Sequence, residues 1–137
     1  MIKEIVKDSF VLSQKSQDAT ADDFYILQDL KDTLEAHKDH CVGMAANMIG
    51  YLKNMIIFED NGHYTCMVNP VILKTSAHMY SAMESCLSHE GSRETKRYDK
   101  IKVSFIDENG KKKIKSYQGF TAQIIQHEID HCLGILI

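Results

Sequence analysis

Gly119-Phe-Thr-Ala-Gln-Ile-Ile-Gln-His-Glu-Ile-Asp-His-Cys-Leu133 is the stretch on which the reading of this 137-residue chain turns. Its apolar residues, Phe120, Ala122, Ile124, Ile125, Ile129 and Leu133, fall on most sides of a helical period, which predicts a helix buried in a core. Set into it is His127-Glu128-Ile129-Asp130-His131. Residues four apart share a helix face at a separation of about 6 Å. Two imidazoles so placed can bind one cation, and the carboxylate beside the first can reach a water that the cation polarises. Such a water has its pKa lowered toward ~7, and a carboxylate can take its proton during attack. Two histidines, a glutamate and an aspartate on an apolar helix are costly unless paired or liganded. A metal site therefore accounts for them better than a polar surface does. Asp130 is read either as a support for that site or as a solvated acid.

Two imidazoles leave the cation short of a third ligand. Only six residues follow His131, so that ligand is expected upstream. Cysteines, acids and the other histidines are all candidates, and spacing alone does not choose among them.

Outward from the helix, strands dominate. Lys111 to Tyr117 reads as the return strand of a hairpin whose turn is Asn109-Gly110 and whose first strand alternates Ile101, Val103 and Phe105 with Lys102, Ser104 and Ile106. Met55–Phe58 and Tyr64–Val68 flank a second turn, Asp60-Asn61-Gly62. Asn69-Pro70 is expected to break the chain before a further strand at Val71–Leu73. Gly43 and Gly50 bracket Met44–Ile49, read as a loop or brief strand near the interior. From Ala21 to His37 the spacing of Phe24, Leu27, Leu30 and Leu34 predicts an amphipathic helix, with Thr20 and Asp23 as a capping box that uses Asp for the usual Glu or Gln. Helix, antiparallel strands, helix make an α+β fold, and the length suits a single domain over residues 1–137.

Composition excludes some classes. A net charge of −3 offers no basic face for DNA or RNA, and Lys111-Lys112-Lys113 after a turn reads as a solvated hairpin edge, so nucleic-acid binding is not expected. The charged N-terminal stretch lacks the apolar run of a signal peptide, and no segment approaches the ~18 apolar residues of a membrane span. A cytoplasmic protein is expected, one in which Cys41, Cys66, Cys86 and Cys132 stay reduced and three of the four are buried hydrophobes. His37, His40, His63, His78 and His89 sit in polar or turn contexts and are expected at the surface, with a rim role open to His89.

Taken together, Gly43-Met-Ala-Ala-Asn-Met48, Glu84-Ser-Cys-Leu-Ser88 and Gln126-His-Glu-Ile-Asp-His131 resemble the three signature motifs of the peptide deformylases. Asn69-Pro-Val-Ile72 and the stretch from Arg97 to Val103 also fit that family, so the resemblance covers nearly the whole chain. It implies the deformylase α+β fold, with antiparallel strands around the H-E-x-x-H helix. It implies a metal held by Cys86, His127 and His131, Fe²⁺ in the cell with Zn²⁺, Ni²⁺ or Co²⁺ able to occupy the site. Thiolate plus two imidazoles suits a tetrahedral ion with one open position. The implied reaction removes the formyl group from the N-terminal methionine of N-formylmethionyl peptides, nascent chains near the ribosome. Glu128 would be the general base, the Leu87 N–H an oxyanion donor, and the backbone at Gly43 a partner for the extended peptide.

The chain departs from the family pattern at Cys41, where a glycine is usual, at Ser85, likewise, and at Met48. Met48 stands where a glutamine normally donates to the formyl oxygen, and methionine has no N–H to give. Asn47 and Gln123 are the amides that could substitute. The departure also raises an alternative, a weak or inactive paralogue that binds metal and peptide without turnover.

Overall fold

A computed structural model describes residues 1–137 as two antiparallel sheets and three α-helices. The main sheet has five strands: β1 (Gly43–Ala45), β2 (Met55–Asp60), β3 (His63–Thr75), β6 (Lys100–Ile106) and β7 (Lys112–Gln118), in the order β1-β2-β3-β6-β7. β4 (Met79–Ser85) and β5 (Ser92–Tyr98) pair only with each other. The helices are α1 (Ser9–Leu12), α2 (Tyr25–Ala36) and α3 (Gly119–Cys132). The fold is α+β, as expected.

The β2–β3 turn is as the sequence predicted. Asp60 pairs with His63 across Asn61 and Gly62, and both loop residues have positive φ, 52° and 82°. That is the combination a tight hairpin matched to strand twist requires. Met55, Ile56, Ile57 and Phe58 are all fully buried because β2 is covered on both faces. On one face Tyr64 reaches Glu35 of α2; on the other Phe58 meets Tyr117 edge-on at 5.9 Å and Asp60 accepts from Thr121 of α3.

Three expectations are corrected. Asn69-Pro70 does not break the chain: β3 runs on to Thr75 through a register shift between Val68 and Val71. Asn69 takes the left-handed conformation there (φ 51°), and its side chain bonds both backbone groups of Ala19, so the bulge is held from outside the sheet. The helix predicted over Ala21–His37 begins instead as a 3-10 turn at Ala21–Asp23, with the Asp23 carboxylate accepting from the Thr20 N–H at 2.8 Å. Phe120 and Leu133, assigned to the core, are 64% and 50% exposed. The β4–β5 hairpin and α1 were not foreseen.

Candidate metal centre

α3 supplies two of the predicted ligands. His127 and His131 turn toward one side with their Nε2 atoms 3.2 Å apart. The third, Cys86, is the first residue after β4, in the loop that closes the β4–β5 hairpin, and its Sγ lies 3.3 Å from His131 Nε2. The three ligand atoms all lie within 4.8 Å of one another. A tetrahedral ion about 2.3 Å from sulfur and about 2.0–2.1 Å from each nitrogen would set those atoms about 3.3–3.6 Å apart. The triangle therefore fits one small cation. The Ser88 N–H points at Cys86 Sγ at 3.5 Å, a donor placed to stabilise a thiolate.

Behind the ligands is a buried charge network. Arg97 grips Glu84 with two hydrogen bonds, at 2.9 and 2.7 Å, and its third nitrogen meets Asp130 at 2.5 Å. Glu84 Oε1 also bonds His127 Nδ1 at 2.8 Å, which leaves Nε2 of that ring for a metal. Burial works against charge on Glu84, but His127 and Arg97 outweigh it and hold the carboxyl down at about 2. Asp130 is thus a supporting residue, not a solvated one. Burial also opposes charge on both rings. Cys86 and Glu84 nonetheless hold His127 up at about 10, while burial and the neighbouring His127 charge push His131 down to about 3.

Glu128 is buried beside the triangle, where burial raises its carboxyl to about 7. Its Oε1 has no hydrogen-bond partner, although the atom is fully enclosed. An orphaned acceptor of this kind needs a donor from outside the chain, and water is the natural one. Gly43 makes room for this carboxylate. A Cβ at position 43 would stand 2.7 Å from Ile124 Cγ2 and 2.9 Å from Glu128 Oε2.

The ligands open into a cleft of about 440 Å³ whose walls include Val42, Gly43, Leu87, Phe120, Gln123 and Ile124. β1 is the edge strand of the main sheet. Glu59 N–H donates to Val42 O at 2.8 Å and Gly43 sits opposite Phe58, so by alternation Gly43 turns its backbone groups away from β2. The Cys41 thiol reaches that free carbonyl, with 2.8 Å between Sγ and Gly43 O, and burial pushes the thiol up to about 12. The Leu87 N–H has no partner in the chain.

Met48 is buried on the cleft wall, its sulfur accepting from the Ala45 N–H at 3.4 Å. Asn47 is buried outside the cleft lining, and its NH₂ donates to the carbonyl of His131 at 2.9 Å, which ties β1's loop to α3. Gln123 does line the cleft, and its Oε1 accepts from the Tyr80 hydroxyl at 2.9 Å. The roles of Arg97 and Tyr80 left no signal in sequence periodicity. His89, expected at the surface, is only half-exposed, and its Nε2 is enclosed without a partner.

Two helix imidazoles and a hairpin thiol around room for one ion, with a buried carboxylate at its side, describe a mononuclear metal-hydrolase centre. The polypeptide deformylase family model matches residues 2–137. A peptide deformylase of Clostridium beijerinckii is 53% identical over 137 residues, covering 100% of both chains. Among solved structures, a Met-Ala-Ser-bound class I type b peptide deformylase from Acinetobacter baumannii superposes with TM-score 0.91 at 27% identity, over 99% of this chain and 97% of its own. The Thermotoga maritima peptide deformylase gives 0.91 at 26% identity, over 99% and 95%. The chain belongs to the polypeptide deformylase family. It is a metal-dependent hydrolase that removes the formyl group from the N-terminal methionine of newly made polypeptides.

Proposed function

We propose that Cys86, His127 and His131 hold the metal, and that the ion in the cell is Fe²⁺, with Zn²⁺, Ni²⁺ or Co²⁺ able to take its place. The single observation carrying the catalytic assignment is the enclosed, unpartnered Oε1 of Glu128 beside the ligand triangle. When bound, the metal supplies a Lewis acid that polarises the formyl oxygen and makes water nucleophilic near neutral pH. Glu128 takes the proton of the attacking water and returns it to the leaving amine. The free N–H of Leu87 donates to the oxygen on which negative charge develops. The peptide lies along the open edge of β1 as an added strand, with Gly43 as its backbone partner. The Acinetobacter baumannii structure, named for its bound Met-Ala-Ser, supports a cleft that takes the first residues of a chain.

Residues 1–137 act as one domain in this reading. No helix is long and apolar enough to cross a membrane, and we place the enzyme in the cytoplasm beside the ribosome, where its substrates emerge. Met48 favours the alternative of a binding protein without turnover, but the retained base and ligands favour the enzyme.

Formate release from a formyl-methionyl peptide, using protein loaded anaerobically with Fe²⁺ or with Ni²⁺, tests the proposal. Turnover that vanishes in Glu128→Ala at unchanged metal content is expected; a fully loaded site that releases no formate would overturn it. Met48→Gln in the same assay measures what the missing amide donor is worth.

A further inference from the structure

One wall of the cleft carries an amide, that of Gln123. Gln123 lies four residues, about one turn, before His127 on α3, about 6 Å along the helix axis. Tyr80 lies two inward-facing positions before Glu84 on β4. The contacts Glu84–His127 and Tyr80–Gln123 are therefore successive rungs between the same strand and the same helix. The Tyr80 hydroxyl donates to Gln123 Oε1 at 2.9 Å, which fixes the plane of the amide. Its Nε2 group makes no hydrogen bond within the chain, and the residue faces the cleft among Phe120, Ile124 and Met83. One polar donor is thus held in a fixed orientation on the helix that also brings Phe120 and Ile124 to the cleft.

The placement suits a side chain better than a reacting carbonyl. With the formyl carbon at the ligand triangle, the first residue of an added strand starts beside His127, and an extended methionine side chain spans the one-turn offset to Gln123. We propose that Gln123, oriented by Tyr80, is a specificity-determining residue that donates to an acceptor near the end of the substrate's first side chain. The inference rests on the deformylase reading of the site. Methionine offers a weak thioether acceptor, methionine sulfoxide a strong one, and norleucine none. The cleft therefore prefers methionine to its hydrocarbon isostere and also takes the sulfoxide.

The test compares kcat/KM for formyl-methionyl, formyl-norleucyl and formyl-(methionine sulfoxide) tripeptides on metal-loaded parent, Gln123→Leu and Tyr80→Phe proteins. In Gln123→Leu the methionine-to-norleucine ratio is expected to fall about two- to tenfold, the range for loss of one hydrogen bond. The sulfoxide-to-norleucine ratio should fall further, with Tyr80→Phe between parent and Gln123→Leu. Ratios that stay constant across the three proteins would overturn the inference while leaving the deformylase reading intact. Absence of turnover with every peptide would count against that reading alone. Competition binding of Met-Ala-Ser against norleucyl-Ala-Ser would then decide the role of Gln123 by the same ratio. If Gln123→Leu does not fold, the shift in Tyr80→Phe decides it.

Discussion

Between Met55 and Val68 the β2–β3 hairpin is held by hydrocarbon: Met55, Ile56, Ile57, Phe58, Met67 and Val68 are all fully buried. Between Met79 and Tyr98 the β4–β5 hairpin has the reverse arrangement. Its buried residues are Glu84, Ser88 and Arg97, all polar, while Met79 and Met83 face solvent. Both are regular antiparallel ladders. The first locates its strands by burial, which is non-directional and is worth about 1.5–3 kcal/mol per large side chain. The second locates Cys86 against α3 by hydrogen-bonded charges, whose geometry is specific. A scaffold can tolerate the looseness of packing; three proposed ligands from two separate elements meeting within 4.8 Å cannot.

The largest effects should come from removing the keystone of each hairpin. Arg97→Met leaves Glu84 and Asp130 without their partner, and removing one member of a buried charge set costs about 3–5 kcal/mol. Denaturant unfolding should show that loss together with a fall in bound metal. Phe58→Ala should cost about 3–5 kcal/mol as a core cavity, yet leave metal affinity unchanged in the folded protein. If both variants lost metal equally, the division between the hairpins would fail.

Acid should separate the two hairpins next. Glu84 titrates at about 2 in the folded chain against 4.5 unperturbed. A depressed carboxyl adds stability that is present in full above the unperturbed value and is lost as pH falls toward the folded one. Hydrogen exchange between pH 4.5 and 2 should therefore show β4–β5 of the metal-free protein opening before β2–β3. A smaller effect is expected from Glu84→Gln, which keeps the shape but weakens the orientation of His127. Loss of such an outer partner typically costs 10–100-fold in metal affinity, about 1.4–2.8 kcal/mol, readable by competition with a chelator. The smallest change should be Met83→Ala. At 66% exposure, it should shift stability by no more than about 0.5 kcal/mol; a larger loss would mean that β4 leans on apolar contact after all.

The same contrast explains what could be read in advance. The β2–β3 and β6–β7 hairpins and α3 were legible because apolar periodicity and turn residues such as Asn61-Gly62 act locally. β4–β5 was not, since Ser92-Arg-Glu-Thr-Lys-Arg-Tyr98 has almost no apolar residue and its inward side chain, Arg97, looks like a surface one until its bonds to Glu84 are seen. Asn69-Pro70 misled for a related reason: the bulge that absorbs it is stabilised by Ala19, fifty residues away in sequence. In the candidate site, His127, Glu128 and His131 announced themselves by spacing. Cys86 was reached only through the family resemblance, because nothing near it in the sequence distinguishes a ligand thiol from a packed one. Asn47 reads as an available amide donor, and only the structure shows it outside the cleft lining with its NH₂ bonded to the carbonyl of His131.

Gly43 has a bearing on inhibition. A compound that lies along the β1 edge would press against the one position in the cleft where the chain has no side chain to vary. Any replacement that narrowed the cleft there would place its first carbon against the Glu128 carboxylate and Ile124. Such a replacement would disturb Glu128, the proposed general base, in excluding the compound. Phe120, Gln123 and Met83 line the cleft with side chains that can be exchanged, so a compound anchored at Gly43 should be harder to evade than one that relies on those walls.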